Sequence, residues 1–170
     1  MLVTDEYKKQ LEQYHTEHKN WGSGPRAQIS RLGKFFHDNN VLEVVDYGCG
    51  KATNMKFIFP IKIHSYDPGV PTWSADPPCA PYLICMDVLE HIEPELLEDV
   101  LQHIDSKFTR KALLGISMSP AKETLPDGRN AHLIQKPVGW WLERLQKYFY
   151  VETIEIARTN GSFIATLNKV

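Results

Sequence analysis

The stretch 41–51, Val-Leu-Glu-Val-Val-Asp-Tyr-Gly-Cys-Gly-Lys, limits the folds open to this chain more than any other. Val41, Leu42, Val44 and Val45 form a short, β-branched apolar run of the kind buried at the centre of a parallel sheet. Gly48 and Gly50 let the backbone turn sharply and come close to a ligand. A helix expected next would aim its first N–H groups at the same spot. A second strand-like run, 61–66, ends in Asp67, nineteen residues beyond Gly48. That spacing suits a carboxylate gripping ribose hydroxyls. The pattern points to an α/β fold that holds a nucleoside-containing ligand across the carboxyl ends of two adjacent strands.

The glycine turn also narrows the ligand. The dinucleotide fingerprint needs a third glycine, and Thr53 stands in its place. Asp46, two residues before Gly48, carries a charge that a diphosphate would oppose and a cationic, phosphate-free ligand would tolerate. A third apolar run, 82–86, leads into Asp87, Glu90 and His91. Asp46-Tyr47-Gly48-Cys49-Gly50, Tyr66-Asp67-Pro68 and Asp87-Val88-Leu89-Glu90-His91 together resemble a class I S-adenosylmethionine (SAM) dependent methyltransferase. The likeness is to the small stand-alone type of bacteriophage and bacterial genomes and covers roughly residues 41–118.

The resemblance implies a Rossmann-like methyltransferase fold. Its central sheet is mostly parallel, with an antiparallel C-terminal hairpin strand and helices on both faces. It implies SAM as cofactor and S-adenosylhomocysteine as product. The cofactor-binding residues carried over are Asp46, Gly48, Cys49, Gly50, Asp67, Pro68, Met86, Asp87 and Val88. Gly48 and Gly50 would pass close to the methionine moiety, and Asp46 would meet its ammonium through water. Asp67 would hold the ribose, and Met86, Asp87 and Val88 would floor the sulfonium. The chain departs from the family at Ala52, where a third glycine is frequent, and more strongly over 69–81. That segment is too proline-rich for the usual helix. The expected third-strand region is therefore shortened, and the adenine-side contacts stay open.

Length bounds the rest. A chain of 170 residues suits one domain, 1–170, with an N-terminal helical lid over 1–40 and a Rossmann-like core over 41–170. No apolar run approaches the ~20 residues that span a bilayer. The start of the chain lacks the basic and apolar regions of a signal peptide, and Cys49, Cys79 and Cys85 are too scattered for a disulfide framework or zinc knuckle. These features point to a cytoplasmic protein without membrane contact. A net charge of −2 argues against stable DNA binding.

In chain order, 5–19 reads as an amphipathic helix with Tyr7, Leu11, Tyr14 and His18 on one face. Pro25 suits the start of a second, with Ile29, Leu32 and Phe36 inward. Residues 8–34 hold six Lys or Arg against two Glu, an excess of four. This is either a solvated face or a lid over an anionic substrate, with Tyr14, His15, His18 and Trp21 near the cofactor. Met55, Ile58 and Phe59 stripe a crossover helix. Leu97, Val100, Leu101, Ile104 and Phe108 stripe the next, and a strand follows over 111–118. A long loop occupies 119–137, a length that is often functional. Val138, Trp141, Leu142 and Leu145 mark a last helix. Two β-rich runs around Asn160-Gly161 read as a hairpin.

Three readings of the chemistry remain. In the first, His91 and His132 act as catalytic residues toward a small-molecule or nucleotide acceptor. In the second, Asp87, Glu90, His91 and His132 hold Mg or Mn, since one helical turn would group the first three and adjacent strands bring 132 to the same rim. That set partly resembles the Glu-x-x-Glu-His motif and later His of small-RNA 3'-end ribose methyltransferases, with Asp87 in place of the first Glu. In the third, the chain binds or consumes SAM without methylating an acceptor. Asp76-Pro77-Pro78-Cys79 resembles motifs of DNA methyltransferases but precedes the strand it should follow, and is read as coincidence.

Overall fold

The computed structural model describes residues 1–17, 29–51, 59–157 and 161–170. The expected crossover residues Met55 and Ile58, and His18, Trp21, Pro25 and Asn160, lie outside them. The described strands are β1 (Glu43–Tyr47), β2 (Lys62–Tyr66), β3 (Ala80–Met86), β4 (Phe108–Ser117), β5 (Phe149–Ala157) and β6 (Ser162–Lys169). They form one sheet in the order β2-β1-β3-β4-β6-β5. β1 pairs in parallel with β2 and β3, and β3 with β4. β6 runs antiparallel to both β4 and β5. The fold is Rossmann-like, and β2 and β5 form the two edges of the sheet among the described residues.

Alternation along the strands divides the core. Val45, Tyr47, Leu83, Cys85, Ala112 and Leu114 face one layer with the helices α3 (Leu97–Ser106) and α4 (Val138–Leu145). Val44, Tyr82, Ile84, Leu113 and Ile164 face the other, with Leu32, Phe35 and Phe36 of α2 (Ile29–Asp38). The two-residue period of the strands sends neighbours to opposite faces, so both faces are apolar and both are covered. Trp141 of α4 is fully buried in the first layer. Trp141→Ala is expected to cost about 3–5 kcal/mol in a denaturant titration, the range for emptying a large aromatic site.

Two expectations fail here. Leu42 precedes β1 and is 79% exposed, whereas the apolar run suggested a buried position. Phe108 is buried as expected but opens β4 rather than closing α3, because Lys107 leaves helical geometry with φ −103° and ψ 0°. The coincidental motif acquires a role. His103 pairs with Asp76 across 2.8 Å and Lys107 donates to Asp76 across 2.7 Å, while the Tyr47 hydroxyl meets the other His103 nitrogen at 2.8 Å. This polar chain fastens segment 69–81 to α3 and β1. Among the described residues, no helix is long and apolar enough to cross a membrane.

Candidate functional site

The carboxyl ends of β1, β2 and β3 meet at the glycine turn. Gly48 and Gly50 both take left-handed backbone, with φ 74° and 54°. The Gly48 and Cys49 amides donate to Tyr66 O at 2.8 and 3.0 Å, so the turn after β1 closes over the end of β2. A Cβ built on Gly48 would lie 2.3 Å from a Val88 methyl. The turn thus needs glycine twice, for its φ and for the approach of the chain that follows β3.

Asp67 joins the two strand ends. Its Oδ2 accepts the Gly50 amide and its Oδ1 the Gly69 amide, each at 2.8 Å, and the side chain is buried. Burial raises its pKa, against the pull of the two amides and His15. Asp46, half-buried at the end of β1, is pushed up to about 7 by burial and by the charge of Asp67. Cys49 is buried, and burial, with Asp46 and Asp67 adding, raises its thiol well above the ordinary range. The turn therefore gathers two carboxyl groups and a thiol in a place poorly reached by water, where ionisation is disfavoured and a cationic ligand would restore it.

The sign for Asp46 follows from linkage. A folded-state pKa above the unfolded value gives stability that is present below about pH 4 and lost as pH rises toward 7. Unligated protein should therefore lose about 1 kcal/mol per pH unit through the middle of that window from this group. Asp46→Asn is expected to flatten that slope in thermal unfolding followed from pH 4 to 8.

The N-terminal helix α1 (Asp5–Glu17) lies across this rim. Thr4 caps it, with its hydroxyl accepting the Tyr7 amide and donating to Glu93 at 2.7 Å. The Tyr7 hydroxyl donates to His91 O at 2.8 Å. Leu11 sits against Gly69, where an added Cβ would lie 2.9 Å from its own. His15 is near enough to Asp67 for their charges to interact, although burial is the larger influence and lowers its pKa. Tyr14 is buried.

A second cluster stands beside the glycine turn. Leu89–His91 is a 3-10 turn rather than a continuing helix. Asp87 leaves β3 with left-handed φ of 56° and is exposed. The consequence corrects the expected four-residue set, because Asp87 turns outward while Glu90 turns fully inward. Glu90, His91 and His132 each bring a ligating atom within 4.8 Å of the others, and Asp87 is not among them. Burial, with Asp87 adding, raises Glu90 to about 8. Burial, with His132 adding, lowers His91 to about 4.

The loop 119–137 supplies His132. It folds back on itself, pairing Thr124 with Asn130, and buries Leu125 and Ala131 against Tyr7. Asn130 holds the arm closed by bonding both the N–H and the C=O of Ala121. On the surface of the arm, Arg129 and Asp127 pair with each other at 2.7 Å. Trp140 and Trp141 pack edge to face as part of α4, and Arg144 stacks over Trp140.

No protein-family model and no curated protein matches this sequence. Solved structures do match in fold. The Burkholderia thailandensis 1,6-didemethyltoxoflavin-N1-methyltransferase, solved with 1,6-didemethyltoxoflavin and S-adenosylhomocysteine, superimposes with a TM-score of 0.68 at 14% identity, over 100% of this chain and 92% of that one. Magnesium protoporphyrin IX methyltransferase from Synechocystis, with bound SAM, gives 0.68 at 14% identity over 96% and 97%. The N-methyltransferase NodS from Bradyrhizobium japonicum, with S-adenosylhomocysteine, gives 0.68 at 11% over 97% and 99%. The fold is that of class I SAM-dependent methyltransferases.

Proposed function

We propose that this chain is a SAM-dependent methyltransferase acting on a small-molecule or nucleotide acceptor. The observation that carries the reading is the pair of carboxylates, Asp46 and Asp67, gathered at a left-handed glycine turn where burial keeps Asp46 near pKa 7. A ligand with an ammonium and a sulfonium relieves that crowding, so the residues present fit the cofactor. When bound, SAM supplies an electrophilic methyl on a good leaving group. Gly48 and Gly50 admit its backbone-facing side, Cys49, Pro68, Met86 and Val88 line it, and Asp67 accepts from the ribose while retaining its amide partners. The exposed Asp87 bounds the same side.

With a good leaving group in place, the protein has mainly to orient the acceptor and exclude water. Helix α1 is the lid in this reading, bringing Tyr14 and His15 over the cofactor. His132 takes the proton released by the acceptor, and His91, held neutral by its buried setting, positions the acceptor beside it. Acceptors of the toxoflavin kind, bound by a protein of the same fold, support a small molecule.

Calorimetric titration with S-adenosylhomocysteine tests the cofactor. Micromolar binding is expected, followed by transfer of labelled methyl in an acceptor screen. Binding with no transfer to any acceptor, and S-adenosylhomocysteine formed without a methylated product, would move the protein to a SAM-binding or SAM-consuming role. Absence of binding by folded protein overturns both.

A further inference from the structure

We propose that Gly161, at the turn of the terminal hairpin, is a positioning residue for His132 and acts on it through Ser119. This role rests on the methyltransferase reading, in which His132 takes the acceptor's proton.

The form of the ring is set by one hydrogen bond. His132 Nδ1 lies 2.5 Å from Ser119 O. A carbonyl can only accept, so Nδ1 carries the proton and, in the neutral ring, Nε2 keeps its lone pair. A base needs that lone pair, and the bond made by one ring nitrogen decides which nitrogen has it. The arm fixes the backbone of the same residue separately. Asn130 Oδ1 accepts the His132 amide at 2.9 Å, and the Gln135 amide group donates to His132 O at 2.9 Å. The ring can still rotate about its own side-chain bonds, so its tautomer depends on where the Ser119 carbonyl stands.

Ser119 is held from the opposite side by the hairpin. The segment 117–119 leaves the end of β4 between the candidate site and that turn. Toward the site, the Ser117 amide donates to Glu90 Oε1 at 2.9 Å, and Ser119 O takes the bond from His132. Toward the hairpin, the Met118 amide donates to Gly161 O at 2.7 Å, and Ser117 pairs with Ser162 across β4 and β6.

Gly161 has left-handed backbone, with φ 59°, and a Cβ built on it would overlap the Ser119 hydroxyl. The two features make different demands. The left-handed turn tolerates asparagine as well as glycine. The seat of Ser119 on the Gly161 backbone tolerates no side chain at all. A Cβ there would push Ser119 away, and the carbonyl that holds His132 Nδ1 would move with it. The close approach at Gly161 thereby keeps the proton-accepting nitrogen of His132 open.

The test reads the ring rather than turnover. Long-range proton–nitrogen spectra of full-length protein labelled at the histidine ring nitrogens report the tautomer of each neutral imidazole, and His132→Asn assigns the signals. Wild type is expected to carry the His132 proton on Nδ1. Gly161→Ala is expected to lose that pattern and shift toward Nε2–H. Ser119→Ala keeps the carbonyl and removes the hydroxyl, leaving its Cβ 3.4 Å from the added one. It should therefore match wild type by itself and restore the pattern when combined with Gly161→Ala. His103, bonded through both nitrogens to Tyr47 and Asp76, is the internal reference and should not change. If circular dichroism shows that Gly161→Ala does not fold, Ser119→Val presses on Gly161 without altering the turn and should give the same loss. A wild-type His132 protonated on Nε2 overturns the proposal, as does an unchanged pattern in whichever of these two variants is folded. A loss in Gly161→Ala that Ser119→Ala does not reverse also overturns it, because the turn conformation and not the contact would then be the cause. Titration with S-adenosylhomocysteine on the same samples is expected to give equal affinities. Absence of binding by folded wild type removes the methyltransferase reading whatever the tautomer, so either idea can fail alone.

Discussion

Gly48→Ala is expected to abolish measurable S-adenosylhomocysteine binding and to lower the melting temperature by roughly 5–15 °C. Two costs combine. Alanine at φ 74° occupies the left-handed region, worth about 1–2 kcal/mol. The new Cβ would sit 2.3 Å from a Val88 methyl, so Val88 or the turn must move, which adds about 1–3 kcal/mol. The costs can be separated. Val88→Ala in the Gly48→Ala background removes the two closest methyl contacts, leaving a Cβ at 3.0 Å and the conformational cost, so partial recovery of stability is expected. Full recovery would mean that backbone conformation is unimportant at this turn, and wild-type binding by Gly48→Ala would remove the turn from the proposed cofactor site.

Asp67→Ala is expected to destabilise the protein by roughly 2–5 kcal/mol and to eliminate cofactor binding. The substitution leaves the Gly50 and Gly69 amides, both bonded to Asp67 at 2.8 Å, without their acceptor. Stability loss alone would not distinguish a ligand-binding aspartate from a structural clamp. Asp67→Asn makes the distinction, because its one carbonyl retains one of the two amide bonds. If Asp67 also accepts from a ribose, Asp67→Asn should recover part of the stability while binding S-adenosylhomocysteine at least ~10-fold more weakly. Wild-type affinity in Asp67→Asn would reduce the residue to a clamp between strands.

Both variants address residues visible in the sequence, and the reason is local. The glycine turn, the acid at the end of the second strand and the closing hairpin are each encoded within a few residues. Backbone freedom, alternation and turn chemistry act over that range. Where the reading failed, either burial alone was ambiguous or a distant contact decided. Phe108 was placed in the correct layer but the wrong element, since apolar burial does not distinguish the end of a helix from the start of a strand. Asp76 looked meaningless until β1 and α3 brought Tyr47, His103 and Lys107 around it.

The division is sharpest in the second cluster. Asp87, Glu90 and His91 had the spacing of one helical face, so sequence grouped all three. A left-handed residue at 87 and a 3-10 turn over 89–91 separate them instead, sending one acid outward and one fully inward. The sequence by itself determined the fold class, the edges of its strands to within a few residues, and the glycine turn with its paired acid. Only the tertiary structure decided that Tyr7 reaches the His91 carbonyl, that Leu11 packs on Gly69, and that Glu90 keeps a buried oxygen with no partner among the described residues. Those outcomes depend on distances across 40 residues or more of chain. Parallel strand register and the folding back of one arm set such distances, and no local periodicity records them.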